Sequence, residues 1–324
     1  MADVTATSTA PARRRARRAG SDPSGLALVL VLLVIGLSLG VPQFLTLRNI
    51  SGLALAITLI GTIAPSMTLV LALGEVDLSV ASIVAFAGVV ASLATSASHS
   101  VVLGVAGGVI AGGLVGVLNG IVVARLGINS LIATLASMEI VRGLAYIAAH
   151  GDAVIILQES FFRIGTSSVL GVTVPVWVML ATFLLCGVIL NLTVLGRNIL
   201  AIGGNVEAAR LAGVPVRSIK ILAFALQGVV AGLAGVILAA RLSLGDPKTS
   251  VGLELGVISA CVLGGASLTG GVATIGGVAI GVLIMGCVQN AMGLLNVPTF
   301  YQYLVRGSIL LLAVLFDRWK QSRH

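Results

Sequence analysis

The chain has 324 residues, of which 58% are hydrophobic and 9% charged, and its mean hydropathy is +1.15. A soluble domain carries about 25% charged residues, and one aqueous core could not hold this many apolar side chains, so the composition excludes a soluble globular protein. The net charge of +8 invites a nucleic-acid role, but five positives (Arg13, Arg14, Arg15, Arg17 and Arg18) sit in "ARRRARR" directly before the first apolar run. There a basic cluster anchors a cytoplasmic segment on anionic lipid, and no nucleic-acid partner is expected.

Residues 1–23, rich in Ala, Thr, Ser and Arg, read as a disordered basic tail. A signal peptide is disfavoured, because the stretch 26–41 is long for an h-region and no small-x-small cleavage site follows it. Beyond the tail, apolar runs of about 17–25 residues fit helices that cross roughly 30 Å of hydrocarbon. No period-two alternation marks a barrel. About ten spans are expected, at 25–44, 50–73, 78–97, 101–124, 131–149, 174–194, 218–240, 253–268, 271–294 and 300–316. The fold class is therefore an all-α polytopic membrane protein, with one permease domain over 24–317 and a short cytoplasmic tail over 318–324. Pro65 is expected to kink the second span.

Counting Lys and Arg gives the orientation. With the N-terminus inside, thirteen of the nineteen fall on the inner side. Four (Arg48, Arg163, Arg241 and Lys248) fall outside, and Arg142 and Arg306 lie within spans. That asymmetry places both termini in the cytoplasm.

In the fourth span Gly104, Gly108, Gly112, Gly116 and Gly120 recur every fourth residue, a flat stripe for close helix approach within the chain or between two copies. Gly228 with Gly232, and Gly277 with Gly281, repeat the spacing. Cys186, Cys261 and Cys287 lie in apolar runs and act as small hydrophobes. No metal-ligand spacing is visible.

The largest inner loop, 195–217, holds "GNVEAARLAGV" at 204–214. Asn205 suits an N-cap, Glu207 complements the helix dipole and Gly213 fits the C′ position. A helix of about two turns is unstable alone, so it must dock on something. Its mostly alanine side would hold lipid poorly.

Two segments align without gaps: "DLSVASIVAFAG" from Asp77 and "ELGVISACVLGG" from Glu254. Asn119 is echoed by Asn290 and Arg142 by Arg306, with offsets of 177, 171 and 164 residues. The copies, about 50–149 and 218–316, are five spans apart and so must run in opposite directions. Inverted repeats are a transporter signature, and short Gly-interrupted segments such as span eight line substrate paths. Candidate pathway residues are Asp77, Ser79, Ser82, Asn119, Glu254, Ser259 and Asn290. Acids at helix starts also serve the dipole alone. Glu139 and Arg142 are three apart on one face and are expected to pair. Arg306 is expected to snorkel or pair across helices.

No G-x-x-x-x-G-K-[ST] occurs, nor any nucleophile–base set, so the chain is expected to do no chemistry itself. A secondary transporter driven by protons or sodium is the rival, and it would prefer buried acids near mid-membrane.

The loop motif "EAARLAG" (207–213) has the E-A-A-x-x-x-G form and resembles the loop by which importer permeases of the ATP-binding cassette (ABC) class dock on their ATPase. "LALGEVDLSVAS", "VISACVLGGASLTGG" and "YLVRGSILLLAVLFDRWKQ" are similar to the ribose/galactose/arabinose branch. "LASMEIVRGLAYI", "QESFF" and Glu75 resemble the arabinose type. The resemblance implies ATPase contacts through Asn205, Glu207, Ala208, Ala209, Arg210 and Gly213, with ATP and Mg bound by that ATPase and no cofactor or metal in this chain. It further implies a periplasmic sugar-binding protein, a second permease copy in a homodimer, and a place in the bacterial inner membrane.

Overall fold

A computed structural model describes residues 23–321, with side chains over 24–315. The tails expected over 1–23 and 318–324 fall outside the described residues except at their edges. There helix α1 (Pro23–Gly40) already begins and helix α14 (Thr299–Gln321) still runs.

Every expected span finds a helix. After α1 come α2 (Leu47–Ala56), α3 (Thr58–Ala72), α4 (Val80–Ser98), α5 (Val101–Ala124), α6 (Ser130–Ala148) and the short α7 (Glu159–Thr166). Then follow α8 (Val174–Leu192), α9 (Val194–Gly204), α10 (Val206–Leu211), α11 (Val216–Leu242), α12 (Leu253–Leu263), α13 (Ile275–Leu294) and α14. Among the described residues, six helices (α4, α5, α6, α8, α11 and α13) are long and apolar enough to cross a membrane, and the bent α2–α3 pair makes a seventh. Four apolar helices are shorter, Ser24–Gly40, Val194–Gly204, Leu253–Leu263 and Thr299–Leu315, and all but Val194–Gly204 lie at expected spans.

Helix starts follow their caps. Side chains of Thr46, Ser100, Asn129 and Thr193 accept backbone N–H groups of the first turn at 3.0–3.4 Å. The kink expected at Pro65 falls elsewhere. α3 runs through Pro65, and the 42° bend lies at Ile57, whose side chain packs into the notch left by Gly286 of α13.

The glycine stripe packs within the chain. A methyl on Gly112 would lie 2.5 Å from the Gly228 carbonyl oxygen and 2.7 Å from Gly232 Cα, so α5 and α11 touch backbone to backbone. Nearer the start of α5 the stripe faces α4, with Gly104 against Thr95 and Ala91. In the second half Gly281 packs on Ala260, and Gly264 on Val278, by the same device.

The halves exchange partners. α11 opens the second half yet packs mainly on α5 and α4 of the first, while α3 of the first half packs on α12 and α13 of the second. Within the halves, α4 meets α5 and α6 as α12 meets α13 and α14. That correspondence is what two equivalent, interlocked repeats require.

α11 spans about 40 Å at 1.5 Å per residue. Lys220 and the α3–α4 turn mark one end, and Arg241 the other. At the first, or basic, end lie Arg125, Arg197, Arg210 and Arg217. At the opposite end strand β1 (Val154–Ile155) pairs antiparallel with β4 (Leu244–Gly245), and β2 (Ser168–Val169) forms a hairpin with β3 (Val172–Thr173).

Candidate functional site

α10 is held at both ends. The Asn205 side chain accepts the Ala208 N–H at 2.9 Å. At the other end Val214 N–H donates to Ala209 O at 3.1 Å and Gly213 N–H to Arg210 O at 3.0 Å, with Gly213 at φ +80°. That pair of bonds is a Schellman stop, which glycine makes without strain. Ala209 is its one buried residue, in the same apolar cluster as Ile202, Val216 and Ile219, and half-buried Val206 packs on that cluster. Glu207, Ala208, Arg210 and Gly213 face outward, joined by Leu211 at 88% exposure, a large apolar side chain on a surface expected to be mostly alanine. The Glu207–Arg210 ion pair at 3.1 Å is well exposed and contributes at most about 0.5 kcal/mol.

The loop 195–217, expected to hold one helix, holds two. α9 precedes α10, and its end meets both repeat halves at a junction of glycines. Gly271 N–H donates to Ala72 O at 3.0 Å. A methyl on Gly270 (φ +87°) would lie 2.7 Å from Gly74 N and 2.9 Å from Gly203 Cα. The α3–α4 turn, the end of α9 and the loop after α12 therefore touch through bare backbone. Beside them Lys220, at the start of α11, forms an ion pair with Glu75 of the α3–α4 turn, both side chains under one-fifth exposed.

The next residues of that turn carry three sequence candidates into one cluster. Asp77 is wholly buried, and its Oδ1 accepts Ser79 N–H at 2.9 Å and Ser79 Oγ–H at 2.6 Å. Asn119 of α5 donates to Ser79 Oγ at 2.8 Å. Asp77 Oδ2 and Ser82 Oγ, one turn on, have no partner among the described residues. Burial pushes the Asp77 carboxyl up to about 6, and the two Ser79 hydrogen bonds oppose that shift. This cluster joins the α3–α4 turn to α5 near the basic end.

The remaining candidates stand apart. Glu254 opens α12, and its Oε2 has no hydrogen-bond partner among the described residues. Ser259, buried mid-helix, donates back to Leu255 O at 2.6 Å. Arg142 does not pair with Glu139 as expected. Its guanidinium donates to Pro247 O at 2.6 Å and Thr249 O at 2.8 Å, clamping the loop before α12, and Glu139 is left exposed on α6. Two carbonyls outcompete the acid because they satisfy the guanidinium where it is half-buried. Asn290 makes reciprocal bonds with Asn49 at 2.9 Å. It borders a cavity of about 250 Å³ between the α2–α3 bend, α13 and α14, where Gln289, Gln302 and Arg306 also sit. Arg306 lies 5.7 Å from the Tyr303 ring centre. The repeat-matched residues thus divide between the two ends of the bundle, Asp77 and Asn119 at one and Glu254 and Asn290 at the other.

A bundle of about ten apolar helices in two interlocked halves, with a capped helix standing off one end, defines a multi-pass membrane permease. The family described as "branched-chain amino acid transport system / permease component" matches residues 49–314, and the chain belongs to it. The L-arabinose ABC transporter permease protein of Azospirillum brasilense is 66% identical over 93% of this chain and 89% of its own length. The L-arabinose transport system permease protein of Escherichia coli K12 is 52% identical over 93% and 92%. The ribose import permease protein of the same strain is 38% identical over 93% and 94%. No solved structure matches the chain.

Proposed function

We propose that this chain is the membrane-spanning subunit of an ABC importer that carries L-arabinose inward across the bacterial inner membrane, by alternating access powered by a separate ATPase. The observation that carries this reading is α10, fixed at both ends, packing on the body through buried Ala209 and half-buried Val206 and presenting Glu207, Ala208, Arg210 and Leu211 outward. A helix so exposed is a handle for a partner. The ATPase would grip it and would bind the ATP and Mg, since this chain has no G-x-x-x-x-G-K-[ST] sequence. The basic end would then be cytoplasmic, in line with the charge asymmetry. A periplasmic binding protein would deliver sugar to the opposite end, and a second copy would complete the passage.

The family description names amino acids, but relatives at 66% and 52% identity carry L-arabinose names, against 38% for ribose. Arabinose is therefore the better-supported cargo, with ribose, xylose or galactose as alternatives.

In mechanism, closure of the ATPases moves α10 and with it α9. The glycine junction passes this to the α3–α4 turn and to the loop after α12 together, so both halves shift in one step. Bare backbone contacts leave no side chain to absorb the displacement.

The test is uptake by proteoliposomes holding the full importer. ATP inside should drive L-arabinose accumulation that ionophores leave intact, and Glu207→Ala with Gly213→Val should cut sugar moved per ATP at least tenfold. Uptake that ignores ATP but collapses with the ion gradient would instead favour an ion-coupled secondary transporter.

A further inference from the structure

The cavity at the α2–α3 bend lies away from α10 and from the Asp77 cluster, at the opposite end of the bundle. Its volume of about 250 Å³ equals roughly eight waters at about 30 Å³ each. That is room for one sugar ring. Its polar wall is made of three carboxamides and one guanidinium: Gln289 and Asn290 from α13, Gln302 and Arg306 one turn apart on α14.

Their bonding is incomplete. Gln302 Nε2 donates to Val297 O at 2.9 Å, which leaves its carbonyl oxygen open. Asn290 spends one N–H and its oxygen on Asn49, which leaves one N–H. Among the described residues, Gln289 and the Arg306 guanidinium make no hydrogen bond or ion pair, and Arg306 Nε is buried without a partner. Unpaired polar groups in a bundle facing hydrocarbon are expensive and mark a site that something else completes.

The chemistry selects the occupant. Carboxamides offer donors and acceptors side by side, which suits hydroxyl groups, themselves both donor and acceptor. An anion would meet the Gln302 carbonyl oxygen unfavourably. From α14 only Gln302 and Arg306 reach the cavity, while Phe300, Tyr301 and Tyr303 are more than half exposed.

We infer that this cavity is a monosaccharide-binding site inside the permease, in which Gln289, Gln302 and Arg306 hold the hydroxyls of a neutral sugar. This rests on the importer reading and locates its cargo within the bundle. The bend at Ile57 forms one wall, so the site sits where α2 and α3 can hinge.

Two measurements test it. In proteoliposomes of the full importer, Gln302→Ala, Arg306→Ala and the cavity-filling Ala56→Leu should each lower L-arabinose moved per ATP at least tenfold, while lipid-facing Leu304→Ala stays within twofold. Wild-type efficiency in the first three overturns the site. Saturation-transfer NMR on the purified chain in nanodiscs should show signal from L-arabinose that falls at least fivefold in Gln302→Ala. An unchanged signal overturns the site whatever transport does, and a stronger signal from L-arabinonate replaces it with an anion site. If Arg306→Ala does not insert, the other two variants carry the test. Wild-type vesicles that ignore ATP would sink the importer reading alone, because the NMR experiment needs no transport.

Discussion

Asp77 is an acid with no charged partner. It is wholly enclosed, one oxygen bonded to Ser79 and the other to nothing among the described residues. Its folded-state value of about 6 stands above the ordinary 3.8, so the folded protein holds this proton more tightly than the unfolded chain does. The ionised form therefore costs stability above pH 6, and the cost fades as pH falls from 6 towards 4. At about 1.4 kcal/mol per unit the full effect is on the order of 3 kcal/mol. Asp77→Asn keeps an acceptor for Ser79 and abolishes the titration. In detergent, the thermal midpoint of the wild type should rise relative to this variant between pH 8 and pH 5, and a difference that ignores pH would show that Asp77 is already compensated. The sequence showed an acid at a helix start but not its enclosure, because the turn that carries it is held by Asn119 of α5 and by Ser130 and Thr134 of α6, far along the chain. Arg142 teaches the same lesson. Its neighbour Glu139 was legible, whereas the two carbonyls that hold it lie more than 100 residues away.

Elements were the most legible scale. Hydropathy and length together place seven spans, counting the bent α2–α3 pair, and hydropathy alone places the shorter three. α10 was legible because its caps are local: Asn205, Glu207 and Gly213 each act within one turn. α9 was not, because 194–204 is apolar and continuous with the span before it, and the break at Thr193 is a matter of one residue. The bend at Ile57 was also hidden, since it is matched to a glycine notch on another helix. The contact that most depends on pairing across elements is Glu75–Lys220, which ties the α3–α4 turn to the start of α11. Removing one partner from a largely buried pair leaves an uncompensated charge and costs a few kcal/mol. Glu75→Gln should lower sugar moved per ATP several-fold, by freeing the turn that carries Asp77 from the helix that follows α10. The swap Glu75→Lys with Lys220→Glu should restore most of it. A swap no better than the single change would mean that these residues act separately.

At the scale of the molecule, the exposed faces are as informative as the packed ones. α6 and its repeat counterpart α14 both lie at the outside of the bundle, with Ile132, Ile140 and Ile147 of α6 and Leu304, Leu311 and Leu312 of α14 turned outward. Lipid would accept those side chains. It would not accept Glu139, which is exposed at the centre of α6, where an acid facing hydrocarbon costs about 2.5–3.5 kcal/mol or more. Arg142, on the next turn, makes no ion pair with it and donates instead to Pro247 and Thr249. The cost disappears if the α6 face borders water, and a water-lined seam between two permease copies would supply that. A cysteine placed at this position by Glu139→Cys should react with a membrane-impermeant thiol reagent at least tenfold faster than one placed by Leu184→Cys on lipid-facing α8. The three native cysteines are buried and give a low background. Equal, slow labelling at both positions would put Glu139 against lipid and remove the aqueous seam, leaving each copy to conduct its sugar alone.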